Sequence, residues 1–126
     1  MRAIVIDDSK AQRTIIRRIL QQSGDWEIFE AGDGKEALER LEQTGPLDLA
    51  LVDWNMPMMN GLEFIRAVRK DKSLYNMTMM MVTTESETAQ VVRALAAGAN
   101  EYLMKPFTAE GLLDKLCMLG FGPTQE

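Results

Sequence analysis

Short β-forming runs alternate with helix-period segments five times along this chain, and that alternation restricts the fold more than any other feature. The runs cover residues 2–6, 26–30, 48–52, 77–83 and 100–103. Several are almost wholly apolar, as strands are when helices cover both faces of their sheet. The segments between them carry apolar residues at helical spacing. Ala11, Ile15, Ile16, Ile19 and Leu20 share one side of the first, with Gln12, Arg13, Arg17 and Arg18 elsewhere. The second, starting near Asp33-Gly34, presents Ala37, Leu38 and Leu41. The third follows Asn60-Gly61 and presents Leu62, Ile65 and Val68. The fourth presents Ala89, Val92 and Ala96, with Gly98 where a left-handed C-terminal cap belongs. The fifth follows Pro106, with Thr108 as N-cap and Leu112, Leu113 and Leu116 inward.

Strand–helix alternation with short connections predicts an α/β fold with a doubly wound parallel sheet. Right-handed crossovers leave few arrangements, and for five strands with five helices the flavodoxin-like order 2-1-3-4-5 is the common one. The chain has 126 residues, the size of one domain. No repeat, linker or low-complexity segment interrupts it. After Leu119 only seven residues remain, and an attached output domain is not expected.

Charge and composition exclude several functions. The net charge is −5, and basic residues cluster no further than pairs such as Arg17-Arg18 and Arg69-Lys70. Direct nucleic-acid binding is therefore not expected. There is no histidine, which removes histidine acid–base catalysis and histidine metal ligation. No stretch approaches the roughly 20 apolar residues of a membrane span. No signal peptide is apparent, and a cytoplasmic protein is expected. The single cysteine, Cys117, lies among Leu116, Met118 and Leu119 and is expected to be an ordinary buried thiol.

In open parallel sheets, ligands sit beyond the C-terminal strand ends, where the strand order switches. The first strand ends in Asp7-Asp8, the third in Asp53, the fourth in Thr83-Thr84, and the fifth is followed by Lys105-Pro106. Each group alone has a plain explanation: a helix cap for Asp7-Asp8, a turn former for Asp53, a surface lysine, a β-branched strand end. Their joint placement on one edge is what carries meaning. Three carboxylates at close quarters repel one another, and a hard divalent cation relieves them. All-oxygen ligands suit Mg²⁺ or Mn²⁺, and Mg²⁺ favours one or two carboxylates plus phosphate oxygens. A carboxylate nucleophile can form an aspartyl phosphate. Lys105 is placed to neutralise one phosphoryl oxygen and Thr83 to bond another. Ten methionines include Met77, Met79, Met80 and Met81 in the fourth run, read as core, and Met56, Met58 and Met59 in one loop. For that loop, core filling and an adaptable binding surface are both open.

Over essentially its whole length the sequence resembles the receiver domains of two-component response regulators, most of all those that stand alone in chemotaxis. The matching segments are Ile4-Val5-Ile6-Asp7-Asp8-Ser9, Asp53-Trp54-Asn55-Met56-Pro57, Gly61-Leu62-Glu63, Val82-Thr83-Thr84-Glu85, Ala97-Gly98-Ala99 and Tyr102-Leu103-Met104-Lys105-Pro106-Phe107. The resemblance implies a receiver over 1–120 with a short tail at 121–126. It implies Asp53 as phosphoacceptor, Asp8 as direct Mg²⁺ ligand, Asp7 acting mainly through water, and the backbone carbonyl of Asn55 completing the shell. It implies Lys105 against the phosphoryl group, a cis bond to Pro106, and Thr83 with Tyr102 as a switch pair. The phosphodonor would be a sensor histidine kinase or a histidine phosphotransfer protein. A downstream protein would dock on the surface of the fourth helix, fifth strand and fifth helix. One departure is Thr84, where the family often has a smaller residue. The outcome would be a phosphorylation switch, in chemotaxis or another pathway, with a relay intermediate or phosphate sink as the alternative, and no classical enzyme activity. An aspartate-nucleophile phosphatase of the haloacid-dehalogenase type fits less well, because Asn55 stands where that family has its second aspartate. A flavin or nucleotide domain would need a glycine-rich loop where Asp7-Asp8 stands. A phosphorylation-independent pseudo-receiver would have lost part of the acidic set.

Overall fold

The computed structural model describes residues 1–84 and 88–121; Glu85 of the Thr83-Thr84 run, the Thr88 side chain and residues 122–126 of the expected tail lie outside the described residues. The strands are β1 (Arg2–Ile6), β2 (Glu27–Ala31), β3 (Leu49–Asp53), β4 (Thr78–Thr84) and β5 (Glu101–Lys105). The helices are α1 (Lys10–Ser23), α2 (Gly34–Thr44), α3 (Gly61–Lys70), α4 (Thr88–Ala97) and α5 (Ala109–Met118). The strands form one parallel sheet in the order β2-β1-β3-β4-β5. This is the flavodoxin-like arrangement that the alternation predicts.

Strand alternation divides the core in two. Ile4, Ile6, Ala50, Val52, Met79 and Met81 face α2, α3 and α4. Ala3, Val5, Leu49, Leu51, Met80 and Val82 face α1 and α5. The methionines of β4 are core residues on both faces. Several strands run one or two residues further than their apolar residues, because parallel pairing uses backbone groups and tolerates polar side chains. Asp53 thus pairs with Val82, and Thr84 with Lys105.

Side-chain caps fix where four helices start. Ser9 accepts from the Gln12 N–H, Asp33 from Glu36 and Thr108 from Gly111. Asn60 and Glu63 form a reciprocal capping box at α3. The start of α3 is pressed against the end of β3: Gly61 N–H donates to the Trp54 carbonyl at 3.0 Å. A Cβ on Gly61 would lie 2.6 Å from the Asp53 carbonyl oxygen and 3.1 Å from Trp54 Cα. Only glycine permits this approach.

The structure resolves the methionine loop. Met56 and Met59 pack against the core. Met59 also accepts a hydrogen bond from Gly34 N–H at 3.2 Å, which ties the loop to the start of α2. Met58 alone is exposed, at 75 %, and it holds a left-handed φ of 67°.

Three expectations about burial need correction. Ala11 and Ile15 of α1 face solvent, and Ile16, Ile19 and Leu20 make the buried stripe. In α4 the buried residues are Val91 and Ala94, while Ala89, Val92 and Ala96 are exposed. This helix is apolar almost all round, so its sequence offers two stripes and packing selects one. Cys117 is exposed rather than buried, because Leu112 and Leu116 form the inward line of α5 and Cys117 lies off it.

Gly61→Ala should lower unfolding free energy by about 2 kcal/mol, through collision with the β3 backbone. Gly24→Ala, with nothing within 4 Å of its added Cβ, should stay within about 0.5 kcal/mol. Urea denaturation would compare them, and equal midpoints for the two variants would show that α3 has room to move.

Candidate functional site

The C-terminal strand ends bring Asp7, Asp8, Asp53, Thr83 and Lys105 to one edge of the sheet. Asp7 follows β1 and is 2 % exposed; Asp53 ends β3 and is 7 % exposed; Thr83 in β4 is 1 % exposed. Asp8 is exposed. One carboxylate oxygen from each of Asp7, Asp8 and Asp53 lies within 4.8 Å of the others.

Lys105 ends β5 and reaches across this cluster. Its Nζ donates to Asp53 Oδ1 at 3.1 Å and to Asp7 Oδ2 at 3.3 Å. The other Asp7 oxygen accepts from Ser9 N–H at 2.8 Å, and Asp7 N–H donates to the Ala31 carbonyl at 3.1 Å. The Lys105–Pro106 bond is cis, as the resemblance implies. The Thr83 hydroxyl donates to the Thr84 carbonyl at 3.5 Å. Asn55 is exposed in the bend after β3. Thr84 is half-buried beside Lys105 in the ladder, within the site's rim.

Tyr102 stands apart from the carboxylates. It pairs with Met81, two residues before Thr83, so Thr83 and Tyr102 share one face of the sheet. Its half-buried ring packs on the α2–α4 side of the core, with Lys115 Nζ 4.7 Å from the ring centroid. Lys115 is itself held by Glu101 at 3.1 Å.

The electrostatics are those of crowded acids. Burial and the neighbouring Asp7 charge push the Asp53 carboxyl up to about 6, against the pull of Lys105. Burial works against the Lys105 ammonium, but the Asp53 and Asp7 charges outweigh it and raise its pKa. Three carboxylates against one ammonium leave excess negative charge, in an all-oxygen donor set. The cluster therefore fits a hard divalent cation.

Two residues of the neighbourhood escape sequence reasoning, which places Arg13 on the polar side of the first helix. Arg13 Nη1 donates to the Asp7 carbonyl at 2.5 Å, and its Nε to Glu30 Oε1 at 3.0 Å. The available signal is spacing: Arg13 lies four residues beyond the cap Ser9, one turn into the helix that leaves the acidic strand end.

Comparison with known proteins matches this architecture. Residues 3–117 match the model of the response regulator receiver domain. The chain belongs to the response regulator receiver family. A chemotaxis protein CheY homolog of Campylobacter jejuni is 43 % identical over 116 residues, 92 % of this chain and 89 % of that protein. Chemotaxis protein CheY1 of Helicobacter pylori is 41 % identical over 92 % of this chain and 94 % of its own. The solved chemotaxis response regulator CheY4 of Vibrio cholerae superposes with a TM-score of 0.84 at 36 % identity, covering 94 % of this chain and 97 % of that one. As a receiver, the protein belongs with two-component signalling proteins rather than classical enzymes, and receivers accept phosphoryl groups from histidine kinases. Among the described residues, no helix of this receiver is long and apolar enough to cross a membrane.

The raised Asp53 pKa fixes the sign of a stability effect. The folded state holds this proton up to about pH 6, against 3.8 for a free carboxyl. Folded-state stability from this group is therefore greatest below pH 4 and falls as pH rises toward 6. Asp53→Asn removes the charge and should raise stability at pH 7 in metal-free buffer by about 3 kcal/mol, at 1.36 kcal/mol per pKa unit. Thermal melts across pH 4–7 should show a flatter profile for the variant. A variant no more stable than the parent at pH 7 would contradict the crowding of charge described above.

Proposed function

We propose that this receiver is phosphorylated on Asp53 with Mg²⁺ held at the adjoining acidic cluster, and that phosphorylation changes which partner it binds. The observation that supports this most is the convergence of Asp7, Asp8, Asp53 and Lys105 on one strand edge. Asp7, Asp8 and Asp53 would hold the ion together with the Asn55 backbone carbonyl; Mn²⁺ suits the same donors. A bound Mg²⁺ supplies neutralisation of phosphoryl oxygen charge.

The chain's own residues account for the rest. At neutral pH the Asp53 carboxyl is mostly ionised and so is a nucleophile. An Asp53 oxygen forms a bond to phosphorus as the bond to the donor's imidazole nitrogen breaks, and that nitrogen keeps the electron pair. The chain holds no histidine, so the phosphohistidine belongs to the donor, a sensor histidine kinase or histidine phosphotransfer protein. Lys105 already faces Asp53 and stays protonated, ready to pair with a phosphoryl oxygen. Thr83 provides a hydroxyl on β4, and Tyr102 on the same face is the proposed switch ring. Phosphorylation adds roughly two negative charges and several acceptors, which shifts a two-state packing of that pair.

The downstream protein would dock on α4, β5 and α5. The relatives named as chemotaxis proteins favour chemotaxis as the pathway and the cytoplasm as the compartment. The receiver unit is taken as 1–120.

Intact mass after incubation with acetyl phosphate tests the reading. The parent should gain one phosphoryl group only with Mg²⁺, and Asp53→Asn none. Full modification of the variant would disprove the acceptor. Asp8→Ala should weaken Mg²⁺ binding at least tenfold, by loss of a charged ligand, as read by calorimetry. Unchanged affinity would remove Asp8 from the metal shell.

A further inference from the structure

We infer that Arg13 is a positioning residue for the acidic site, acting through the peptide that joins Asp7 to Asp8. The inference rests on the Mg²⁺-dependent reading given above.

A peptide unit is planar, so fixing its carbonyl fixes the orientation of the whole plane. The Asp7 carbonyl belongs to the Asp7–Asp8 peptide, and Arg13 Nη1 is hydrogen-bonded to it at 2.5 Å. Arg13 is largely buried and cannot swing freely, because Nε is bonded to Glu30 Oε1 at 3.0 Å. Glu30 is anchored in turn on β2, and its second oxygen pairs with Arg17. The planar guanidinium is suited to this bridge, since it offers several donors in fixed directions.

The other polar groups of Asp7 are bonded as well: its N–H to Ala31, one carboxylate oxygen to Ser9, the other to Lys105. Asp8 is exposed, and among the described residues none forms a hydrogen bond or ion pair with its carboxylate. The direction of that carboxylate depends on the plane of the preceding peptide. Arg13 therefore sets where Asp8 points, through the Asp7 carbonyl and without a hydrogen bond to any of the three carboxylates.

Charge and geometry predict opposite outcomes when Arg13 is replaced. Removing a cation beside an acidic cluster tightens binding of another cation if charge alone matters. Losing the clamp weakens it. Arg17 provides the control, because it pairs with the same Glu30 and carries the same charge but makes no bond to Asp7.

Mg²⁺ titration by calorimetry, well below the melting temperature of each variant, separates these. Arg13→Met should weaken Mg²⁺ binding about tenfold, within the range seen when partners of metal ligands are removed. Arg13→Lys keeps the charge but cannot span Glu30 and Asp7 in one plane, and should weaken binding about threefold or more. Arg17→Met should stay within about twofold of the parent. Arg13→Met binding as tightly as the parent or more so would overturn the inference, as would equal losses for Arg13→Met and Arg17→Met. If Arg13→Met does not fold, Arg13→Lys against Arg17→Met decides it. A parent that binds no Mg²⁺ would overturn the functional reading and this inference together.

Discussion

The contact of the Lys105 ammonium with Asp7 and Asp53 is the interaction on which the rest of the site depends. It joins the end of β5 to the ends of β1 and β3, spanning four neighbouring strands of the sheet. Without it, two buried carboxylates and an exposed third would share one edge with no buried counter-charge. Its compensation is incomplete, which is why the Asp53 carboxyl remains raised. A fold that keeps such an imbalance in its resting form has room for another positive charge and for an anion to bring it into balance.

The sheet and the reacting edge were readable because both follow from one-dimensional patterns. Apolar runs such as 49–52 and 79–82 are strand cores whatever surrounds them. Once five strands alternate with helices, the C-terminal end of each is fixed, and Asp7, Asp53, Thr83 and Lys105 fall there by counting. Helix faces were less readable. In α1 and α3, charged residues flank the apolar stripe and fix its phase to within one residue. In α4, Val91, Val92, Ala94, Leu95 and Ala96 are interrupted only by Arg93, and a single charge marks the choice between the two stripes weakly. Cys117 is a similar case, lying in an apolar run at the end of α5 where only packing on the sheet decides the inward line.

What the sequence concealed were the contacts that cross between elements. Its spacing from Ser9 puts Arg13 one turn into α1, but that it meets both a β2 glutamate and the Asp7 carbonyl requires the sheet order and the crossing of the helix. The methionine loop is alike in this respect. Met59 is a core residue because the start of α2 leaves a glycine-sized gap at Gly34 for it to fill, and that gap exists only after both elements are in place.

The register of β4 against β5 carries a consequence for how this chain can change over evolutionary time. Tyr102 lies opposite Met81 and Lys105 opposite Thr84, so Thr83 and the tyrosine ring are kept on a common side by strand pairing alone. A one-residue insertion in either strand between these positions would turn one of the two to the opposite side of the sheet. Drift by substitution is open to these strands, but drift by length is closed to them. Lineages of this protein should therefore gain and lose residues in the connections that join strands to helices, while the spacing from Met81 to Thr84 and from Tyr102 to Lys105 stays constant.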